Sequence, residues 1–292
     1  MNHQSDRPVV LVTGCSSGIG RATVMRLVER GFQPIAGVRK RADLENLSAA
    51  SDQIIPLQID VEDSQSIATA VGDIRSRFPN GIDGLVNNAG IAVAGPLELV
   101  TRDQWQRQFD VNVLGMMDMI HQFLPMMRGR KSRIINISSA AVNLALPMLG
   151  AYASSKCAVE ALSDSLRREL WSAGTKVIVI RPGQTATPIF EKTERETETH
   201  MDTMDEDAVN AYRRSLTRLQ ELMHRSERFR SSPNRVAAVV VRALSARYPK
   251  RRYHVGWDTN ASRWVARYVP DLLVDRVIAW KLRSQRAERN GH

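Results

Sequence analysis

Short apolar runs alternate with stretches of helical periodicity over the first two thirds of the chain. Residues 8–13 form a compact run rich in valine, which predicts a buried strand. Similar runs predict strands at 33–38, 54–60, 84–87, 133–138 and 176–181. Helical spacing predicts helices between them, over 18–31, 41–50, 63–78, 101–129 and 151–173. Strands that alternate with helices favour right-handed crossovers and a parallel sheet covered on both faces.

The pattern changes after Pro188, where the chain becomes polar and contains several methionines. Ser232 and Pro233 are typical of a helix start, and the spacing beyond them predicts a helix that reaches residue 246. A strand over 252–256 and a helix over 271–283 are predicted to follow. We therefore predict an α/β fold, a Rossmann-type doubly wound parallel sheet with a helical C-terminal region. Its parts are a core of residues 1–190, an insertion of residues 191–232, and a helix–strand–helix extension of the same domain over residues 233–292.

Composition narrows the class of protein. Of the 292 residues 43% are hydrophobic, which is enough for a sizeable core. No run approaches the roughly 18 apolar residues of a membrane-spanning helix, and the polar N-terminus lacks the apolar stretch of a signal peptide. The two cysteines, Cys15 and Cys157, cannot build a disulfide framework, so a cytoplasmic protein is expected. The six histidines lack the spacing of metal ligands, and no metal site is predicted.

The formal net charge of +10 is unevenly distributed along the chain. Residues 1–190 carry a net charge of +3, residues 191–207 a net charge of −6, and residues 208–292 a net charge of +13. An excess of cations favours an anionic partner such as a nucleic acid, a membrane or a phosphorylated ligand. Because no nucleic-acid-reading element is recognisable, no nucleic-acid partner is expected.

A glycine-rich segment joins the first predicted strand to the first predicted helix. Glycines at such a junction let the backbone approach a pyrophosphate, whose charge meets the amide groups of the helix start. The spacing is Gly-x-x-x-Gly-x-Gly rather than the standard Gly-x-Gly-x-x-Gly, and a simple tight turn is the alternative interpretation. The candidate cofactor-binding residues of this segment are Gly14, Ser16, Ser17, Gly18, Ile19 and Gly20.

The end of the second predicted strand indicates which dinucleotide is bound. A carboxylate at this point would accept a hydrogen bond from the ribose 2′-hydroxyl of NAD. The sequence instead has three cations, Arg39, Lys40 and Arg41, and no acidic residue before Asp43. Cations here favour a 2′-phosphate, so Arg39 is predicted to bind NADP(H). The alternative is that these cations only form the solvated start of a helix.

Tyr152 and Lys156 are four residues apart and therefore lie on one face of a predicted helix. A phenol has an ordinary pKa near 10, and a nearby ammonium group stabilises the phenolate. The pair therefore predicts a proton donor or acceptor. Ser139 ends the predicted strand over 133–138, at the edge of the sheet where α/β active sites assemble.

These motifs together resemble the short-chain dehydrogenase/reductase family. The resemblance covers about residues 8–190 and also includes the segment Asn87-Asn88-Ala89-Gly90, Asn112, and the pair Pro182 and Gly183. It implies that residues 1–190 are an NADP-binding catalytic core and that residues 191–232 are a substrate loop or lid. It also implies a homodimer or a homotetramer.

The family resemblance implies a role for each matching residue. Tyr152 would be the general acid and base, and Ser139 would bind the reacting oxygen, with Ser138 as a close second choice. Lys156 would bind the nicotinamide ribose and lower the pKa of Tyr152, while Asn112 would hold a water in a proton relay. The remaining cofactor contacts implied by the family are Asp60 to adenine, Thr187 to the carboxamide, and Asn88, Pro182 and Gly183 along the cofactor.

The implied function is that of an NADP(H)-dependent oxidoreductase that interconverts a primary or secondary alcohol and its aldehyde or ketone. The stretch from residue 233 to 256 resembles hydroxysteroid and retinol dehydrogenases of the same family, which implies a bulky apolar substrate of a steroid-like or retinoid-like kind. Candidate pocket residues, which could equally form helix core, are Phe190, Met201, Met204, Tyr212 and Met223. One alternative is an NADP(H)-sensing regulatory protein in which catalysis is incidental. Another, an epimerase or dehydratase, is disfavoured by the three-residue gap between Gly14 and Gly18.

The basic C-terminal segment has two interpretations. Leu273, Val277 and Ile278 share one helical face, and arginines and lysines lie near them. Such a helix can lie on an anionic membrane surface as a peripheral contact, or it can pack its apolar face on its own domain or on a second subunit. Trp257, Trp264 and Trp280 are interpreted as packing residues of this region.

Overall fold

Seven parallel strands form the sheet of this protein. The structure, a computed structural model, describes residues 7–189, 192, 193, 195, 197, 206–225 and 230–283. The strands are β1 (Val9–Val12), β2 (Gln33–Val38), β3 (Ile55–Gln58), β4 (Gly84–Asn87), β5 (Arg133–Ile137), β6 (Lys176–Pro182) and β7 (Arg252–Val255). Their order across the sheet is β3-β2-β1-β4-β5-β6-β7. β2 and β3 extend the sheet to one side of β1, and β4 to β7 extend it to the other side. The point where this order reverses lies between β1 and β4, which confirms the predicted Rossmann-type doubly wound fold.

Helices cover both faces of the sheet. They are α1 (Gly18–Glu29), α2 (Arg41–Ala50), α3 (Ser64–Arg77), α4 (Arg102–Phe109), α5 (Gly115–Phe123), α6 (Gly150–Glu169), α7 (Glu206–Arg225), α8 (Pro233–Ser245), α9 (Trp257–Tyr268) and α10 (Asp271–Arg283). The central strands β1 and β4 are buried along their whole length, as expected of parallel strands that are covered on both faces. Apolar residues of α3, α5 and α6 pack on one face of the sheet, and those of α1, α2 and α8 pack on the other.

The helix predicted over residues 101–129 is divided in the structure. The predicted start is confirmed, because Thr101 and Gln104 form a reciprocal capping box at the beginning of α4. A π-helical turn over Asp110–Leu114 then separates α4 from α5, and a 3₁₀ turn over Leu124–Met127 follows α5. This π-helical turn carries Asn112, one of the predicted site residues.

The C-terminal extension differs from its prediction in two respects. It contains an additional helix, α9, directly after β7. The predicted packing role of its tryptophans is wrong, because Trp257, Trp264 and Trp280 are 62%, 61% and 66% exposed. Apolar residues at helical spacing indicate that a helix has an apolar face, but they do not indicate that anything in the same chain covers it. No helix in the described ranges is long and apolar enough to cross a bilayer.

Candidate active site

A cavity of about 380 Å³ opens at the carboxyl edge of the sheet. The turn after β1, the segments that follow β4, β5 and β6, and the start of α6 all contribute to its walls. Most of the predicted site residues line it, namely Gly14, Ser16, Ser17, Gly18, Ile19, Asn88, Ser139, Tyr152, Lys156, Pro182, Gly183 and Thr187. Four predicted residues lie outside its lining, namely Gly20, Arg39, Asp60 and Asn112.

The glycine turn after β1 is packed so closely that there is no room for a side chain at Gly14 or at Gly20. Gly14 has a φ of 69°, a backbone conformation that favours glycine. A Cβ atom at Gly20 would lie 2.2 Å from the Gly14 carbonyl oxygen. The Asn88 amide donates to the carbonyl oxygens of Thr13 and Gly14, at 2.9 and 3.1 Å. The third glycine of the motif and Asn88 therefore hold the turn in shape, and Gly20 contributes to the site without lining the cavity.

The start of α1 can hold a pyrophosphate. Ser16, Ser17 and Gly18 line the cavity, and Ser17 occupies the N-cap position without a capping bond from its side chain. The amide groups of this first turn and the positive end of the helix dipole favour an anionic group. A Cβ atom at Gly18 would lie 3.0 Å from the Thr187 methyl group, so this part of the cavity closes on Thr187. The residues present therefore fit a dinucleotide.

Arg39 is engaged in a surface ion pair. Its guanidinium lies 3.4 Å from a carboxylate oxygen of Glu62, and the Arg39 side chain is 47% exposed. Arg107 approaches the other oxygen of the same carboxylate at 4.0 Å. The neighbouring Asp60 accepts a hydrogen bond from the Glu62 backbone N–H at 3.1 Å, so its carboxylate caps the turn after β3. An exposed ion pair contributes little stability, and a phosphate can therefore compete with Glu62 for Arg39.

The predicted proton donor, Tyr152, adjoins Ser139. Burial raises the pKa of the Tyr152 phenol, and a hydrogen bond with Ser139 opposes that rise. The Ser139 hydroxyl also accepts a hydrogen bond from the Ala141 backbone N–H at 3.1 Å, which fixes its position at the end of β5. Ser138 also lines the cavity. The contact with Tyr152 favours Ser139 as the partner of the reacting oxygen.

Lys156 lies one helical turn beyond Tyr152, and only 6% of its surface is exposed. Its ammonium group donates to the Ile137 carbonyl oxygen at 2.9 Å and lies 5.9 Å from the centre of the Tyr152 ring. Burial lowers the pKa of Lys156 to about 8. Burial is the largest effect on the Tyr152 phenol and raises its pKa, and the expectation that Lys156 lowers that pKa stays a prediction.

Asn112 holds the segment that follows β4. Its side-chain amide donates to the Ile91 carbonyl oxygen at 3.0 Å and to the Ser155 hydroxyl at 3.1 Å, while its oxygen accepts from the Ile91 backbone N–H at 2.9 Å. The fully buried Gln108 acts beside it, since it accepts from the Val93 backbone N–H at 2.6 Å. The sequence prediction included Asn112 as a water-holding residue and missed Gln108. The only sequence signal that could have indicated Gln108 is its position four residues before Asn112.

A second group missed by the sequence prediction ties α6, the helix that carries Tyr152 and Lys156, to the sheet. The Glu160 carboxylate accepts from Arg181 of β6 at 2.6 Å and from Arg252 of β7 at 2.7 Å. Burial alone would raise the pKa of Glu160, but its hydrogen bonds with the two arginines lower it overall. Arg252 also lies 3.0 Å from Asp164, one turn further along α6. These partners are far apart in sequence, so no local pattern reveals them.

The predicted substrate pocket is described only in part. Phe190, Met201 and Met204 lie outside the described residues, as does the side chain of Met223. Tyr212 donates to the Glu98 carboxylate at 2.6 Å. Apolar walls of the cavity come from Ile91, Ala92, Ile137 and Ile189, and its mouth also includes Lys192 and Arg195. Within the described part of the chain, no cluster of histidine, cysteine and acidic residues is arranged to hold a metal.

Known proteins are similar to this chain in sequence and in fold. The family model described as short chain dehydrogenase matches residues 8–198. Human retinol dehydrogenase 5 is 34% identical over 290 residues, which cover 94% of this chain and 88% of that protein. The 3-amino-tetrahydro-pyrrolizinone reductase of Xenorhabdus hominickii is 35% identical over 261 residues, which cover 87% and 88%. A short-chain dehydrogenase structure from Streptomyces avermitilis, 27% identical, superposes with a TM-score of 0.75 over 95% of this chain and 97% of that one.

Replacing Tyr152 by Phe removes the hydroxyl and retains the ring. We expect turnover of a carbonyl substrate to fall by at least about a hundredfold, because general acid catalysis contributes about 10² to 10⁴ in rate. Binding of the reduced cofactor, measured by fluorescence titration, should change little. Tyr248→Phe, at an 81% exposed tyrosine, is the matched control and should turn over normally. Turnover above a few per cent of wild type in Tyr152→Phe would contradict the assigned role.

Proposed function

This chain belongs to the short-chain dehydrogenase/reductase family, and from that premise we propose that it is an NADP(H)-dependent oxidoreductase interconverting an alcohol and its aldehyde or ketone. The observation that carries the proposal is the convergence of Ser139, Tyr152 and Lys156 on the cavity that also contains the glycine turn. A phenol, a hydroxyl and an ammonium group in one cavity with a dinucleotide cradle suit proton transfer coupled to hydride transfer.

The proposed mechanism assigns the proton to Tyr152. When bound, the nicotinamide supplies or accepts the hydride. In reduction, the carbonyl oxygen accepts hydrogen bonds from Ser139 and Tyr152, and Tyr152 gives its proton to the oxygen as charge develops there. Because burial raises the pKa of Tyr152, the phenol is protonated at neutral pH and is ready to act as an acid. Lys156, whose pKa is about 8, is still an ammonium at pH 7 and is available to hold the ribose hydroxyls.

The preference for NADP(H) is supported by charge at the end of β2. Arg39 follows the strand directly, and its partner Glu62 is held by an exposed ion pair at 3.4 Å. A phosphate bound by a guanidinium forms a charge-assisted, often bidentate contact, which is stronger than a surface ion pair. Asp43 is the first acidic residue along the chain after β2 and belongs to α2, so the residues that directly follow the strand supply no carboxylate to bind the ribose hydroxyl of NAD.

A bulky apolar substrate of the steroid-like or retinoid-like kind is supported by the relatives and by the walls of the cavity. Retinol dehydrogenases are about one third identical to this chain over nearly its whole length. The cavity wall includes Ile91, Ala92 and Ile137 beside the proposed reacting groups. Apolar walls with a few polar groups at the reacting end are typical of sites that bind small apolar ligands.

Peripheral membrane contact is supported by the exposed C-terminal helices. We define the C-terminal aromatic surface as Trp257, Trp264, Tyr268, Leu273 and Trp280, all of which are about half exposed or more. Exposed cations accompany these residues on α9 and α10, at Arg263, Arg267, Arg276 and Lys281. Tryptophans and cations on exposed helices match the interface of an anionic bilayer, because the rings enter the headgroup region while the cations meet the phosphates. The alternative occupant is a second subunit of the proposed homodimer or homotetramer.

A substrate panel tests the proposed activity. Retinoid, steroid and short aliphatic carbonyl compounds are each assayed with NADPH and with NADH. We expect turnover to be fastest with a bulky apolar compound and NADPH, because the cavity is walled by apolar side chains and Arg39 favours the 2′-phosphate. Tight NADPH binding without turnover of any compound would instead favour a nucleotide-sensing protein.

Reversing the charge at Arg39 tests the choice of cofactor. In Arg39→Asp we expect the KM for NADPH to rise by about tenfold or more, which is the value of one charge-assisted hydrogen bond, while the KM for NADH changes little. Glu62→Gln is the control, because it frees Arg39 and should leave the KM for NADPH equal or lower. Equal changes in the two KM values for Arg39→Asp would rule out the assignment.

Vesicle binding tests the membrane contact. We expect the protein to co-sediment with vesicles containing phosphatidylserine, and the double variant Trp264→Ser/Trp280→Ser to partition about tenfold more weakly, because two buried rings are lost. Trp171→Ser is the matched control, since Trp171 is 72% exposed and lies outside the C-terminal aromatic surface. Absence of sedimentation at low salt would end the membrane proposal. A shift of the double variant to monomers in sedimentation velocity would assign the surface to a second subunit.

A further inference from the structure

The C-terminal extension reaches the wall of the active site through one carboxylate. Asp258 is the second residue of α9, and its Oδ2 atom accepts a hydrogen bond of 2.6 Å from the Gln184 backbone N–H. Gln184 follows Pro182 and Gly183, which line the cavity at the end of β6. Asp258 is absent from the cavity lining, so its carboxylate lies behind this segment and contacts its outer side.

Two glycines make room for this carboxylate. A Cβ atom at Gly183 would lie 2.0 and 2.2 Å from the two Asp258 oxygens, and one at Gly256 would lie 2.3 Å from Oδ1. Gly256, which has a φ of 113°, is also suited to glycine by its backbone conformation. Gly183 does not have a positive φ, so the closeness of Asp258 explains this glycine by space alone. The Asp258 carboxylate therefore occupies space that only residues without a side chain, Gly183 and Gly256, leave open.

The same segment is also attached to the C-terminal region through its backbone. Gly183 donates to the Val255 carbonyl oxygen at 2.7 Å, and Ser231 donates to the Gln184 carbonyl oxygen at 2.9 Å. The Ala186 N–H donates to the Ser231 carbonyl oxygen at 3.0 Å. In addition to these backbone bonds, the Gln184 N–H donates to the Asp258 side chain. Gly183, Thr185 and Thr187 then continue along the cavity wall, which makes the conformation of this segment part of the site.

We propose that Asp258 is a positioning residue for cofactor binding, which acts through the backbone of Gly183 and Gln184. This inference rests on the proposed function, since it takes the segment from Pro182 to Thr187 as the wall that meets the nicotinamide. The carboxylate acts as a fixed acceptor that prevents the segment from turning its N–H groups away. The C-terminal extension then contributes to binding of the cofactor through this contact.

Three variants of α9 test the proposal. Asp258→Ala removes the acceptor, Asp258→Asn keeps a side-chain oxygen of the same reach, and Ser262→Ala is the control. Ser262 lies one turn further along α9, where its hydroxyl accepts a hydrogen bond of 3.1 Å from the Asn143 side-chain amide. The first readout is amide hydrogen exchange of the peptide that contains Gln184, measured without cofactor. The second readout is the Kd of NADPH from fluorescence titration, measured alongside the unfolding temperature.

In Asp258→Ala we expect faster exchange at Gln184 and a Kd for NADPH raised about tenfold, as for the loss of one hydrogen bond to a charged group. Asp258→Asn should stay within about threefold of wild type, since the amide oxygen still accepts a hydrogen bond, and Ser262→Ala should match wild type in both readouts.

Several results would overturn the inference. Unchanged exchange at Gln184 in Asp258→Ala would refute the contact, and an unchanged Kd with faster exchange would refute the positioning role. A Kd raised equally in Ser262→Ala would show a general effect of α9. Failure of the wild-type protein to bind either NADPH or NADH would refute the proposed function, and this inference with it. That result is recognisable because it does not depend on any variant.

Discussion

The parallel alignment of the central strands is the constraint on which the site depends. β1, β4, β5 and β6 are adjacent, and their buried apolar residues on both faces fix the register of each pair. Because the strands are parallel, their carboxyl ends meet at one edge, and the residues just beyond those ends become neighbours. Gly14, Asn88, Ser139 and Gly183 are such residues. A shift of one residue in β5 would move Ser139 away from Tyr152, so the packing of the sheet determines the chemistry at its edge.

The sequence was informative where structure depends on neighbours along the chain. Apolar runs predicted six of the seven strands, and the spacing of Tyr152 and Lys156 predicted a shared helical face. It was uninformative where the partner lies far away. Glu160 meets Arg252 across 92 residues, and Asp258 meets Gln184 across 74. The exposed tryptophans were misjudged for a related reason, since periodicity locates an apolar face and cannot show whether the rest of the fold covers it.

The basic surplus of the C-terminal region serves more than one purpose. Arg252 is one of its cations, and it is paired with Glu160 and Asp164 on α6. Removing Arg252 would take away one of the two cationic partners of the Glu160 side chain, which is only 9% exposed, and an uncompensated buried charge is destabilising. Part of the surplus is therefore structural and fixes α6 against β6 and β7. Cations on α9 and α10, such as Arg263 and Arg267, are exposed instead, and they form the portion that is available to an anionic surface.

Burial acts on the two central groups of the site in the same sense, toward their neutral forms. It raises the pKa of Tyr152 and lowers the pKa of Lys156 to about 8. At pH 7 the phenol is therefore protonated and the lysine is charged, which is the state that the proposed reduction of a carbonyl requires. Oxidation of an alcohol requires the phenolate, which forms more readily as the pH rises. On the proposed mechanism, the protein alone therefore favours proton donation, and the opposite direction needs either a higher pH or positive charge brought in beside Tyr152.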